Sequence, residues 1–372
     1  MELFPQQQPG GHVCRPAAAV TEFLAFEREN NLQAAKEEHI MKYVTLSDIA
    51  QKTGYSINTV SHALHDKPDI SPKTKALIIE AANQMGYIPN ASASFLRSGK
   101  SKCVAIIVGD ISNPHFSIMI KEMEGRLREQ GYTALILNTD ENEELEHSAI
   151  ASAIGRGVDG IIICPVQTSA KNMDFLTKCR LPYVLFGRYF KNFTSNYVVC
   201  DDINGGFVAA EHLVRLGHKK LLFVNVPEYI SSSFDRLQGI RRALMYPEAR
   251  DVRLETEEIT LTNNERQVTE ILEKHKDCTG IICFSDLIAM QVCHYLKQTG
   301  RRVPEDASVI GFDNIVSKFC FPLMLTSVTS SKTRMSIQAV DILMEAINNP
   351  EFKSQVVLPT RLVEHESTMR TG

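Results

Sequence analysis

The chain has 372 residues, with 44 Asp and Glu against 40 Lys and Arg, and 44% of its residues are hydrophobic. That length suggests two or three domains with real cores, and 23% charged residues with a mean hydropathy near zero exclude a disordered or fibrous protein. No apolar run approaches the ~18–20 residues that span a bilayer, so the chain is not expected in a membrane. The opening Met-Glu-Leu-Phe-Pro lacks the basic start and apolar stretch of a secretory signal. Nine cysteines contain no CxxC pair, and Cys103, Cys164, Cys200 and Cys283 sit in apolar runs, which points to a reducing cytoplasm.

The net charge of −4 is unevenly spread. Residues 1–40 carry −3, residues 41–100 carry +3, and the remaining 272 carry −4. A short cationic module on an acidic body fits a protein of which one part approaches a polyanion. Residues 1–40, with Gln-Gln-Gln-Pro-Gly-Gly and Pro-Ala-Ala-Ala, read as a flexible tail with one marginal helix or as a segment that is not made. Lys36-Glu37-Glu38 is encodable by a purine run of the kind that recruits a bacterial ribosome, and Met41 follows at a suitable gap. Met41 is therefore the expected start.

From Met41 the local signals tighten. Thr45-Leu-Ser-Asp48 is a capping box, and its helix breaks at Thr53-Gly54. Ser56 caps a second helix to about Leu64, and Ser71-Pro72 heads a third that ends at Gly86. Ile49, Val60, Ala63, Leu64, Leu77 and Ala81 are the expected shared core. After Gly99, short apolar strands alternate with helices: 104–109, 133–137, 160–164, 183–186 and 198–200, then 220–226, 280–284 and 307–311. Such runs belong in parallel sheets and imply two successive doubly wound α/β units, which bind ligands outside the carboxyl ends of their strands.

Residues 45–65 have helix–turn–helix spacing, with small Ala50 where the helices cross and Gly54 in the turn. The second helix then exposes Ile57, Asn58, Ser61 and His62, short groups suited to base edges. An ordinary small helical bundle would satisfy the same spacing. The text from Val44 to Leu64, Ile70-Ser-Pro-Lys-Thr74 and Met85-Gly-Tyr-Ile-Pro-Asn90 resembles the LacI/GalR family of bacterial repressors. Asn113-Pro-His-Phe116, Gly157-Val-Asp-Gly160, His212-Leu213, Val309-Ile-Gly-Phe-Asp313 and Leu325-Thr-Ser-Val328 match that family in its order, so the resemblance covers about residues 42–369.

The resemblance implies a helix–turn–helix head at 41–90, a hinge at 91–100 and, at 101–372, a periplasmic-binding-protein-like core of two doubly wound subdomains. The first subdomain is expected at about 101–201 and 329–355, the second at about 202–328 and 356–372. It further implies a homodimer on a near-palindromic operator in double-stranded DNA, with the hinge folding on DNA so that Leu96 wedges into the minor groove. The DNA-contacting set is Thr45, Ser56, Ile57, Asn58, Thr59, Ser61, His62, His65, Asn90, Ala93 and Leu96. The family usually has Arg at the place of His62 and often Asn at that of His65, so a different operator is expected. Around a small-molecule effector, a sugar or sugar derivative, the resemblance places Asn113, His115, Phe116, Arg236, Ser285, Asp286 and Asp313. Asp313 would accept from hydroxyls, Arg236 would donate and Phe116 could stack on a sugar face. Ser285 departs from the common Asn.

Gly155-Arg-Gly-Val-Asp-Gly160 fits GxGxxG but precedes a strand, so it cannot seat a pyrophosphate on a helix. His62 and His65 lack a third metal ligand, and no nucleophile–base set stands out. The expectation is a ligand-controlled transcriptional regulator, a repressor, that is not an enzyme, needs no cofactor or metal and meets no membrane. Activation or co-repression stays open on the same architecture. A transporter's solute-binding protein, the nearest rival, would carry a signal peptide and no helix–turn–helix.

Overall fold

The computed structural model describes residues 43–89, 99–315 and 324–371, which fall into two units divided after Ala91. Among the described residues the smaller unit holds three helices, α1 (Leu46–Thr53), α2 (Ile57–Leu64) and α3 (Pro72–Gln84). Each start is set by a side chain. Thr45 Oγ1 accepts from Asp48 N at 3.3 Å while the Asp48 carboxylate accepts from Thr45 N at 2.8 Å. Ser56 and Ser71 accept from the amides of Thr59 and Thr74. Gly54, at φ 75°, ends α1 in the left-handed conformation that a Cβ disfavours.

Ile49, Val60 and Ala63 are buried as expected, but α3 is turned by one residue relative to the sequence reading. Ile78 and Ala82 fill the core, Leu77 is 47% exposed and Ala81 is half-buried. Ala76-Leu-Ile-Ile79 is apolar at every position, so its periodicity does not choose a face. Packing selects the Ile78 and Ala82 face over that of Leu77 and Ala81.

The larger unit contains two six-stranded sheets. The first runs β11-β5-β4-β3-β1-β2, all parallel, from β1 (Cys103–Val108), β2 (Thr133–Asn138), β3 (Gly160–Ile163), β4 (Tyr183–Phe186), β5 (Asn196–Cys200) and β11 (Gln355–Leu358). The second runs β12-β10-β9-β8-β6-β7, from β6 (Lys220–Asn225), β7 (Arg253–Glu258), β8 (Gly280–Cys283), β9 (Ser308–Phe312), β10 (Thr326–Thr329) and β12 (Arg361–Val363). Among the described strands only β12 is antiparallel to its neighbour. Helices α4 (Pro114–Glu129), α5 (Glu143–Gly155), α6 (Lys171–Cys179) and α11 (Lys332–Asn348) serve the first lobe. Helices α7 (Asp202–Arg215), α8 (Ser231–Ala243), α9 (Glu265–Lys274) and α10 (Asp286–Gln298) serve the second.

The chain passes between the lobes three times, after β5, β10 and β11. The last passage follows Leu358 and not residue 355, because Val356 and Leu358 pair with Val198 and Cys200 and extend the first sheet. In each sheet the first strand has its successors on opposite sides, β2 and β3 about β1 and β7 and β8 about β6. These reversals open crevices at the carboxyl ends of the strands, where ligands of such sheets bind.

Candidate functional site

On α2, the buried Val60 and Ala63 leave Ile57, Asn58, Ser61 and His62 on the opposite side. Ile57, Asn58, His62 and His65 are exposed. Ser56 and Thr59 are engaged with each other at the cap (Oγ to Oγ1 2.9 Å), and Thr45 with Asp48. His65 Nδ1 donates to Ser61 O at 2.7 Å, and His62 Nδ1 lies 2.6 Å from Asp69 Oδ2. A helix of this kind, presenting the apolar Ile57 beside the small polar Asn58 and Ser61 and the imidazoles of His62 and His65, suits a major groove. Asn90, Ala93, Leu96 and residues 91–98 of the hinge lie outside the described residues.

In the larger unit, His115, Arg236 and Asp313 line one cavity with Asp202, Lys332 and Thr360, among others. The Arg236 guanidinium is held on three sides. Its Nε donates to Asp202 Oδ1 at 2.8 Å, its Nη1 donates to Phe284 O, and its plane lies over the rings of Phe284 and Phe312 at 4.5 and 4.3 Å. Burial pushes the Asp202 carboxyl up to about 6, against the pull of Arg236. Asp313 stands at φ 95°, a conformation rare for a residue with a Cβ, and its carbonyl accepts from Lys332 Nζ. His115 Nδ1 is buried 3.4 Å from Asp313 Oδ1 without hydrogen-bond geometry, and burial lowers its imidazole below the usual range, keeping it neutral. The cavity encloses about 20 Å³, room for about one water.

The other expected effector residues stand elsewhere. Asn113 caps α4, its side chain accepting from His115 N at 2.9 Å. Phe116 is buried in the first lobe's core, its ring T-shaped to that of Phe186, and it does not line the cavity. Ser285 caps α10, and the fully buried Asp286 accepts from Ser327 Oγ at 2.6 Å and Ile315 N at 2.8 Å. Asn113, Ser285 and Asp286 thus shape the segments that carry the cavity residues. Asp202, Lys332 and Thr360 went unnoticed in the sequence because they come from the passages between lobes. Asp201-Asp202 ahead of Gly205-Gly206 after a strand was the available signal.

Two further polar groups bound the crevice. In the first lobe the Glu141 carboxylate takes Arg188 bidentately at 2.7 and 2.9 Å, over Gly109, where a Cβ would fall 2.1 Å from Glu141 Oε1. Between the lobes, Tyr189 Oη donates to Asp235 Oδ2 at 2.9 Å and Ser231 N donates to Gln167 Oε1 at 2.9 Å. This set latches the loops after β3 and β4 onto the start of α8.

A helix–turn–helix unit and a two-lobed core with a polar crevice define a DNA-binding regulator with a ligand-sensing body. Residues 45–90 match the model of bacterial regulatory proteins of the lacI family, and residues 210–368 that of the periplasmic binding protein-like domain. The chain is 29% identical over 327 residues to the HTH-type transcriptional regulator GalR of Escherichia coli, covering 86% of this chain and 95% of that one. The lac repressor dimer bound to operator and an anti-inducer shares the fold, with a TM-score of 0.78 at 22% identity, covering 88% of this chain and all of that one. A LacI family regulator from Enterococcus faecium, solved with bound ribose, is 26% identical with a TM-score of 0.65, covering 73% of this chain and all of that one. The chain belongs to the LacI family of bacterial transcriptional regulators. It acts by binding DNA and is not an enzyme.

Proposed function

We propose that the protein is a cytoplasmic repressor that binds a near-palindromic operator as a homodimer and releases or tightens on it when a sugar or sugar derivative enters the crevice between the lobes. Ile57, Asn58, Ser61, His62 and His65 read the major groove, and Asn90, Ala93 and Leu96 extend the contact through the hinge. Arg236, Asp313 and His115 meet the effector, while Asn113, Ser285 and Asp286 hold their loops. The observation that carries this reading is the convergence of Arg236, Asp202, Asp313 and an unsatisfied His115 nitrogen on one cavity. Buried polar groups without partners are costly, and a polyhydroxylated ligand supplies partners of both signs.

A cavity of about 20 Å³ is far below the ~300 Å³ and more of ordinary ligand sites, so effector entry requires the lobes to part. Parting breaks the bonds of Tyr189 to Asp235 and of Ser231 to Gln167. Effector binding is thereby coupled to the spacing of the first lobes, and through them to the hinge. The relative solved with ribose supports the sugar class.

The test is thermal denaturation of the full chain against neutral, acidic and phosphorylated sugars. The reading predicts that one class raises the midpoint and that Arg236→Met abolishes the rise. A rise retained in Arg236→Met, or none with any sugar, would overturn the assignment.

A further inference from the structure

The loop between α2 and α3 is tied to both helices and turns one acidic side chain onto the exposed face of α2. Asp66 adopts φ 56°, its amide donates to Ala63 O and its carboxylate takes Lys75 Nζ from α3 at 2.5 Å. Lys67 N donates to His62 O at 3.0 Å. From this loop Asp69 Oδ2 reaches His62 Nδ1 at 2.6 Å. The His62 hydrogen bond holds the Asp69 carboxyl below the usual carboxylate range, so it is ionised and can only accept. The His62 and Asp69 side chains are 48% and 55% exposed, and an ion pair that open contributes little to folding. Its consequence lies in the ring. With the proton on Nδ1, a neutral His62 keeps a lone pair on Nε2, its one remaining polar atom.

We propose that Asp69 is a positioning residue for base recognition: by fixing the His62 tautomer it makes Nε2 an acceptor, so α2 selects a base that offers an exocyclic amino group in the major groove. Adenine N6 and cytosine N4 are such donors. Guanine presents N7 and O6, and thymine O4, none of which can serve a lone pair. The inference rests on α2 being the DNA-reading helix and adds the chemical class of base read at one position.

Selection of random duplex DNA on the full chain at pH 8.5, well above the titration of an ordinary imidazole, followed by affinities for single-base variants, tests it. At one symmetric position the wild type should prefer adenine or cytosine over guanine by about fivefold, the worth of one net hydrogen bond. Asp69→Ala lets the proton occupy either nitrogen and should reduce that preference to within about twofold, with every other position unchanged. Asp69→Asn, whose amide oxygen still accepts from Nδ1, should retain it. In His62→Ala the preference is lost and Asp69→Ala has no added effect. The proposal is overturned if Asp69→Ala keeps the preference or weakens all positions alike, or if the wild type favours guanine at the His62-dependent position. Enrichment of no site by the wild type would instead sink the reading of α2 itself.

Discussion

Replacing Gly239 with alanine tests whether the crossing of α7 and α8 sets the geometry of the crevice. A Cβ at Gly239 would lie 1.9 Å from Ile203 O and 2.8 Å from Phe207 N, and one at the facing Gly206 would lie 2.0 Å from Arg236 O. All of these are backbone atoms of regular helices, so no side-chain rotation relieves the overlap. Ordinary contact requires the helices to part by about 1.5 Å, and overpacking of this kind costs about 1–3 kcal/mol. We take about 3 kcal/mol for a backbone clash, less about 1 kcal/mol from the better helix propensity of alanine, and expect a net loss of about 2 kcal/mol. Arg236 lies one turn before Gly239, and its partner Asp202 precedes Ile203, so the same movement strains their 2.8 Å bond. Urea unfolding followed by circular dichroism measures the loss as a lower midpoint at unchanged slope. Gly125→Ala is the control, because it sits inside α4 with only an arginine tip at 4.0 Å and should gain about 1 kcal/mol. A Gly239→Ala protein as stable as the wild type would refute the reasoning.

Three further outcomes are expected. Ile78→Ala should destabilise the head by about 2–4 kcal/mol and Leu77→Ala by under about 0.5, read by hydrogen exchange of head amides in the full chain; equal effects would contradict the observed face of α3. Tyr189→Phe removes a bond that must break on opening and should tighten effector binding about fivefold by calorimetry, whereas unchanged or weaker binding would argue against the latch. Burial pushes the Asp286 carboxyl up to about 8, so between its ordinary value and pH 8 the folded state holds an extra proton and stability falls as pH rises. From pH 7 to 8 the wild type should therefore lose about 1 kcal/mol more than Asp286→Asn, and parallel profiles would contradict the buried, protonated acid.

The architecture could be read from local chemistry wherever one residue type has one purpose. Thr45, Ser56 and Ser71 start helices because their hydroxyls satisfy free amides, and the runs at 103–108 and 160–163 are strands buried on both faces. Arg253–Glu258 escaped notice because an edge strand needs no apolar run, and Arg-Leu-Glu-Thr-Glu-Glu has none. The third passage between lobes was misplaced because β11 is half exposed and short. At the crevice, His115, Arg236, Asp313 and Phe116 were all assigned by the resemblance; the first three line the cavity, whereas Phe116 is buried in the first lobe's core. Asp202, Lys332 and Thr360 are brought together by three passages far apart in the chain, a juxtaposition that no local pattern encodes.

The most direct test of the account is operator affinity of the full chain, on a site selected from random duplex DNA, measured across salt with and without a saturating ligand of the crevice. The account predicts a symmetric enriched site, lost in His62→Ala, whose affinity changes by about tenfold or more with ligand, a coupling of roughly 1.4 kcal/mol. Steep salt dependence without an enriched site, or an affinity indifferent to ligand, would contradict it.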